Sequence, residues 1–486
     1  MLTGEKKIKK EKIKTGIILA IIIILICIYT IPNISGSIIR MNPIYETING
    51  NILYVGGTGP GNYTKIQDAI DNSTEGDTVF VFSGTYYESI LIWKSISLVG
   101  ENKENTILFP GAVEQNDNST IFISADNSSI KGFTIRNNIF NIDVIGINLH
   151  SSENKIFNNN IRRFEYGVYL LEENEELYFI NNNISINEIS NCSYGILTRG
   201  NFMYNTIYKN HVIDNYEGIK IYYSMNNSII RNYIHSNIYY GIYLNINSDG
   251  NIVSKNVCTA NRYGIRVKAV SYNKIFLNWI EGNEIGLYSC CGSYDNFFYS
   301  NTVIDNDRQA SDGFSNFWDN GIIGNYWNDY NGTDSNGDGI GDTPYSIPDG
   351  DNEDRYPLME PFGNNPPEKP TIDGPPSGKA GEEYCVIVHS TDLDFDDVFY
   401  LVDWGDGTTS GWIGPFPQCE PVEVFHEFRK GTYIVRVKVK DIYGFESEWS
   451  DNLEVVIPRA RVIPFVWVQW IIEIFPIFEG LQYFFY

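Results

Sequence analysis

The chain is predicted to be all-β: a long β-solenoid followed by a small β-sandwich, behind an N-terminal membrane helix. Three observations point there. Glycines at 146, 167, 195, 218, 241, 264 and 286 each lead into an apolar–variable–apolar triplet or close to it. Asparagines recur in step with them, and a lysine-rich tip precedes an uncharged stretch over residues 16–31.

The N-terminal element comes first. Lys6, Lys7, Lys9, Lys10, Lys12 and Lys14 stand before the uncharged stretch. About 17 apolar residues just span a bilayer, whereas secretory h-regions hold about 7–15. Lysines stay on the inner side, so everything beyond residue 35 is predicted to face out. Ser35 and Ser37 offer small residues for cleavage, but no Ala-x-Ala pattern accompanies them. Residues 1–35 therefore read as a basic cytoplasmic tip and an uncleaved signal anchor, with the membrane as a partner.

Composition narrows the rest. A chain of 486 residues exceeds one ordinary core and calls for several domains or a repeat. The net charge of −25 has no acidic tail to account for it and must be spread over the surface. That excludes nucleic acid as a partner, because a binder needs a basic footprint to release counterions. Of seven cysteines, Cys27 lies in the apolar stretch, and Cys290 and Cys291 are adjacent and unassigned. Cys385 and Cys419 share one C-terminal domain; their pairing stays open, since sequence does not give a Cα separation. No Cys-x-x-Cys or Cys/His pattern suggests zinc. Nine Asn-x-Ser/Thr sequons, Asn62, Asn72, Asn118 and Asn331 among them, fit an exported glycoprotein, although an Asn-rich chain collects several by chance.

The solenoid follows from two registers. After the glycines come Ile147/Leu149, Val168/Leu170, Ile196/Thr198, Ile219/Ile221, Ile242/Leu244, Ile265/Val267 and Leu287/Ser289. This period-2 alternation predicts short strands with one buried face. Asn159, Asn182, Asn210, Asn232, Asn256, Asn278 and Asn301 form one asparagine series, each two residues ahead of Ile161, Ile184, Val212, Ile234, Cys258, Ile280 or Val303. Asn187, Asn215, Asn237, Asn261, Asn283 and Asn306 form a second, five residues beyond most of the first. Spacings of 22 to 28 residues with several short strands per unit predict a β-helix. Stacked coils lie about 4.8 Å apart, so an inward amide at a turn reaches the same amide in the next coil and satisfies buried polar groups. Cys258 falls in an apolar register and is assigned to the core.

An open first coil needs a cover. Residues 63–70 (YTKIQDAI) supply a short helix with Ile66, Ala69 and Ile70 on one face. Residues 76–102 (GDTVFVFSGTYYESILIWKSISLVGEN) continue as alternating strands broken at Gly84 and Gly100. This helix, the 76–102 block and the Asn/Gly coils resemble the NosD-like, pectin-lyase-type parallel β-helices, also described as carbohydrate-binding and sugar-hydrolase repeats. The resemblance covers residues 51 to about 362. It implies a right-handed, three-sheet parallel β-helix over 51–323; the repeat alone sets neither handedness nor sheet number.

Residues 324–362 resemble the segment that closes such helices in archaeal surface proteins. They contain Asp334-x-Asn336-x-Asp338-Gly339 with Asp342 beyond. Oxygen ligands at alternate positions and glycine at a sharp turn suit calcium, with the Ile340 carbonyl as a further ligand. The match to an EF-hand is partial: Tyr345 stands where the bidentate Glu belongs, and Ile340 is one place early. The bland reading is an Asx/Gly turn cluster. A Pro-rich stretch over 363–378 is predicted to be a semi-rigid linker. Residues 379–458, with LVDWGDGTTSGW (401–412) and GTYIVRVKVKD (431–441), resemble a PKD domain, which implies an immunoglobulin-like β-sandwich used for adhesion or spacing. Trp404 is assigned to its core and Asp406-Gly407 to a hairpin turn. Residues 459–486 form an aromatic tail whose prolines and glutamates argue against a spanning helix; an interfacial or docking role is expected.

For function, the slot after each glycine holds Asn148, Tyr169, Leu197, Lys220, Tyr243, Arg266 and Tyr288. It carries no aspartate, and β-helix hydrolases, lyases and epimerases need one. A non-catalytic role is therefore expected: a surface protein that binds glycans or partner surface proteins. Tyr169, Lys220, Tyr243, Arg266 and Tyr288 are the candidate contacts, predicted to point outward, so that replacing Tyr169, Tyr243 and Arg266 would leave stability nearly unchanged. The alternatives are an enzyme acting on acidic glycans and a copper-handling protein. For copper, His211 and His235, and Met203 and Met225, lie about one coil apart.

Overall fold

The computed structural model describes residues 50–111, 118–138, 143–171, 177–394 and 396–458. The predicted membrane helix and the aromatic tail lie outside the described residues. Among the described residues no helix is long and apolar enough to cross a membrane. The chain divides into two units at residues 363 and 364.

The first unit is a parallel β-helix with three sheets of 11, 10 and 11 strands. Sheet 1 runs from Ile52–Val55 to Phe297–Tyr299, sheet 2 from Ile90–Ile92 to Arg308–Asp312, and sheet 3 from Gly84–Tyr87 to Tyr326–Trp327. One coil shows the order: Glu217–Tyr222 in sheet 2, Ser228–Ile230 in sheet 1, Tyr233–His235 in sheet 3. Each coil drops apolar residues into one continuous core, such as Ile219, Ile221, Ile229 and Ile234, all fully buried. Cys258 is in that core, and burial pushes its thiol far above the ordinary range.

The repeated glycines are required by close approach rather than by backbone angle. A Cβ on Gly195 would sit 2.6 Å from the Gly218 carbonyl oxygen, and one on Gly218 equally close to that of Gly241. Backbone cannot yield as a side chain does, so the stack excludes alanine.

Asparagines line all three corners. At the corner between sheets 1 and 3, Asn159, Asn187, Asn210, Asn232, Asn256, Asn278, Asn301 and Asn325 hydrogen-bond in turn, Nδ2 to Oδ1, at 2.8 to 3.1 Å. Asn215, Asn237, Asn261, Asn283 and Asn306 stack at the corner between sheets 3 and 2. Asn154, Asn182, Asn205, Asn227, Asn251, Asn273, Asn296 and Asn316 stack at the third corner. Two assignments from sequence are thereby corrected. Asn182 belongs to this third ladder, and Asn187 takes its place between Asn159 and Asn210.

Every ladder donates toward the C-terminal end, so each last amide needs an acceptor. Asn316 ends on both oxygens of Asp312, and Asn325 on Asp354 Oδ2. The remaining ladder runs from Asn306 through Gln309 and Asn328 to Asp305. Asp354 is fully buried, and desolvation outweighs its donors to push the carboxyl up to about 6. The residue before most ladder asparagines has positive φ, for example Ile186 at 57° and Leu277 at 58°. Corner geometry thus imposes a left-handed residue that the amide bonds stabilise.

Both ends are closed. Helix Ile66–Asn72 buries Ile66, Ala69 and Ile70. Glu88 accepts the Ile66 and Gln67 N–H groups at 3.0 and 3.1 Å, capping it from outside. The Gln67 amide pairs with both the N–H and the C=O of Leu91 and so occupies the edge strand Ile90–Ile92. At the other end, Trp318 stacks on Phe298 with centroids 4.4 Å apart, and Trp327 stacks on Tyr345 at 4.5 Å.

The second unit is an antiparallel β-sandwich. Thr371–Asp373, Glu383–His389 and Val422–Glu427 form one sheet; Thr409–Phe416, Val398–Asp403, Gly431–Asp441 and Leu453–Ile457 form the other. Trp404 is buried with Tyr400, Phe428, Val435, Val437 and Val439. The stretch predicted as linker is partly sandwich: Thr371–Asp373 pairs with Glu383–His389 as an edge strand, where the preceding Pro370 is tolerated. Cys385 and Cys419 are free thiols.

Candidate functional site

The outer face of sheet 2 gathers the side chains with chemistry. Its strands place two rows outward, one from the residue before each glycine and one from the slot two residues after it. The first row runs Tyr166, Tyr194, Glu217, Tyr240, Tyr263; the second runs Tyr169, Leu197, Lys220, Tyr243, Arg266, Tyr288. The rows interleave across the glycine. Tyr166 stacks on Tyr169 at 4.5 Å and on Tyr194 at 5.2 Å, while Tyr240 meets Tyr243 at 4.3 Å.

All five predicted contacts lie on this face, but their exposure differs from expectation. Tyr169 and Tyr243 are only 6% and 4% exposed, because the rings of Tyr166 and Tyr240 pack on them within the strand and Leu197, Lys220 and Arg266 flank them from neighbouring coils. They form a floor, with Tyr169, Leu197 and Ile145 as an apolar cluster distinct from the core. Lys220, Arg266 and Tyr288 are half-buried. The expectation that replacing Tyr169 and Tyr243 spares stability is corrected accordingly.

The first row was missed in the sequence. Its signal was present, as Tyr precedes Gly at 166, 194, 240 and 263 and Glu precedes it at 217. Strict alternation from the inward Val168, Ile219 and Ile242 would put these positions on the inner face. The contacts of Tyr166 with Tyr169, Tyr240 with Tyr243 and Glu217 with Lys220 place them outward beside the slot.

Two cations and one acid are embedded in the rings. Lys220 Nζ lies 3.0 Å from Glu217 Oε2, and 5.1 and 5.4 Å from the Tyr194 and Tyr243 ring centres. Arg266 sits 5.1 to 5.5 Å from the rings of Tyr240, Tyr243, Tyr263 and Tyr288. Its guanidinium donates to the Tyr240 hydroxyl and contacts Cys290 Sγ at 3.3 Å. Burial raises the Glu217 carboxyl above its ordinary value against the pull of Lys220 and Arg266. Burial also pushes Tyr240 up to about 12, so the hydroxyl stays protonated.

The loop proposed for calcium is ordered by its own side chains. Asp334 accepts the Gly337, Asp338 and Gly339 N–H groups at 2.7, 3.2 and 2.9 Å. Asn336 accepts from Asp338 N, and Asp338 from Ile340 N. Asp342 turns to Ser335 and Thr333, whose hydroxyls lower its carboxyl's affinity for a proton. Gly339, at φ +83°, makes the sharp turn the motif requires. The donor set, carboxylate, amide and carbonyl oxygens, fits a calcium ion in type. Among the described residues, three carboxylates converge within 4.8 Å at Asp392, Asp394 and Asp396 of the sandwich.

Of the residues singled out for copper, the two histidines flank one ring, Tyr233, at 5.7 and 5.8 Å. His211 shares a row with Glu188 and Tyr233 on the outer face of sheet 3, and His235 lies in the next row with Ile213 and Thr259. Met203 is in the short strand Phe202–Met203, and Met225 is exposed in an irregular segment.

Comparison with known proteins places this face in context. The model of the family described as periplasmic copper-binding protein (NosD) matches residues 70–257 and 189–332. A cell surface glycoprotein of Methanothermus fervidus is 30% identical over 317 residues, 54% of this chain and 51% of that protein. A probable ABC transporter binding protein NosD of Stutzerimonas stutzeri is 36% identical over 101 residues, 20% of this chain and 23% of that protein. The matches thus span about half of the first relative and about a quarter of the second. The PKD domain of an M14-like peptidase from a Thermoplasmatales archaeon is 43% identical, covering 20% of this chain and all of that domain, with a TM-score of 0.19.

Proposed function

The chain belongs to the NosD family, and we propose that it is a cell-surface β-helix protein that holds carbohydrate on the outer face of sheet 2 without transforming it. One observation carries the reading: the two interleaved rows of tyrosine rings with Lys220 and Arg266 among them. Aromatic rings offer flat apolar faces to sugar rings, and their hydroxyls, with the cations, offer hydrogen bonds. The surface glycoprotein relative supports an outward location. In this reading residues 1–35 anchor the chain and the solenoid carries the face away from the membrane. The sandwich acts as a PKD-like adhesion or spacing module.

A glycan array probed with the full chain tests it. Tyr194→Ala and Tyr263→Ala, at half-exposed rings, are expected to weaken retention of whichever glycan binds. Retention of none, or unchanged retention by both variants, would end the reading.

We also propose calcium as a structural ion of the 334–342 loop, held by Asp334, Asn336, Asp338, Asp342 and the Ile340 carbonyl. Calorimetry with calcium and then a chelator is the check; an unchanged melting temperature leaves only the turn.

A second reading has one observation in its favour. Glu217, buried and with its proton affinity raised, stands among rings where a sugar would lie, and such a group is suited to acid–base chemistry on acidic glycans. Release of reducing ends or unsaturated products would replace binding by catalysis.

A further inference from the structure

Resting on the carbohydrate-binding reading, we infer that the ligand is anionic and that its carboxylate or sulfate seats on Arg266. The argument starts from what Arg266 lacks. Among the described residues no carboxylate stands in ion-pair distance of it, whereas other arginines such as Arg262, Arg308, Arg355 and Arg436 each hold one. Its partners are neutral, a tyrosine hydroxyl and a thiol, and its Nε is shielded from solvent with no acceptor. A shielded guanidinium with an uncommitted N–H is a receptor for a planar or tetrahedral anion.

The surrounding charge agrees. Beside Arg266 and Lys220, the outer row at the strand ends carries Arg199 and Lys268. Four cations on this face thus stand against the carboxylates of Glu217 and Glu165, on a protein whose net charge is −25. A locally positive face on an acidic molecule draws anions. Lys220 is tied to Glu217, so of the two cations set among the rings Arg266 is the one without an ion pair among the described residues.

Titration of the full chain with an oligogalacturonate and with its methyl ester tests this, since the two differ in charge and share the sugar. The acid form is expected to bind at least about tenfold tighter, and raising the salt should erode the difference. Arg266→Gln should abolish that preference. Arg266 also packs among four rings, so Arg199→Gln and Lys268→Gln serve alongside it and should flatten the salt dependence without touching the floor. Binding confined to a sulfated dextran would support the anion seat and assign sulfate to it. Equal binding of acid and ester would overturn the inference and leave the carbohydrate reading standing. No binding of any of these sugars, charged or neutral, would remove both.

Discussion

Replacing Asn232 by leucine isolates what an amide ladder contributes. The side chain is fully buried and has the same number of heavy atoms as leucine, so the change is chiefly one of polarity. Asn232 Oδ1 accepts both the Asn210 N–H and its Nδ2, each at 3.0 Å. Its own Nδ2 donates to the Ile207 and Ile230 carbonyls and to Asn256 Oδ1, at 2.9, 3.2 and 2.9 Å. Leucine orphans the Asn210 main-chain N–H in a fully buried position, which costs about 1–3 kcal/mol. The lost donor bonds add about 0.5–1.5 kcal/mol each, partly offset by the apolar surface leucine buries. The net loss is roughly 3 kcal/mol. Thermal melting should fall by several degrees, and exchange of the Asn210 amide should accelerate more than that of distant coils, because coils stabilise nearest neighbours. Lys274→Ala, exposed on the outside of sheet 1, is the control and should change little. An N232L protein that melts with the wild type and keeps its Asn210 amide protected would refute the ladder as a source of stability.

Three further outcomes are expected. Folded Asp354 holds its proton up to about pH 6 while an ordinary carboxyl of 3.8 has released it, so protonation favours the folded state in that window. Measured against Asp354→Asn, stability should fall as pH rises from about 4 to about 6, by an amount on the order of 3 kcal/mol, and level off above. Ile186→Gly relieves a β-branched residue at φ 57° and 50% exposure and should raise stability by about 1 kcal/mol, read as a higher denaturant midpoint. Tyr243→Ala removes a floor ring and should destabilise by about 2–4 kcal/mol in the same assay, where an exposed contact residue would not.

Much of this protein is written in its sequence because a solenoid is almost one-dimensional. Each coil meets only its neighbours, so a period near 23 residues, the glycines at 195, 218 and 241 and the asparagines at 232, 256 and 278 announce strands, corners and stacking. The core assignment of Cys258 and the capping helix rest on the same local logic, as apolar spacing alone decides which face is buried.

Tertiary structure decided what periodicity leaves degenerate. Neighbouring ladder asparagines such as Asn182 and Asn187 lie five residues apart, and the coil that separates Asn159 from Asn187 is longer than its neighbours by about the same amount. Extra residues equal to a corner spacing make one series continue smoothly into another. Only the hydrogen bonds from Asn159 to Asn187 and from Asn154 to Asn182 separate them. The binding face was half legible for a related reason. Alternation marks Tyr169 and Tyr243 as outward, but whether an outward ring is solvated depends on the coils above and below. It took the packing of Tyr166, Glu217 and Tyr240 on the same side as the slot to turn a row of surface tyrosines into a packed floor around Arg266.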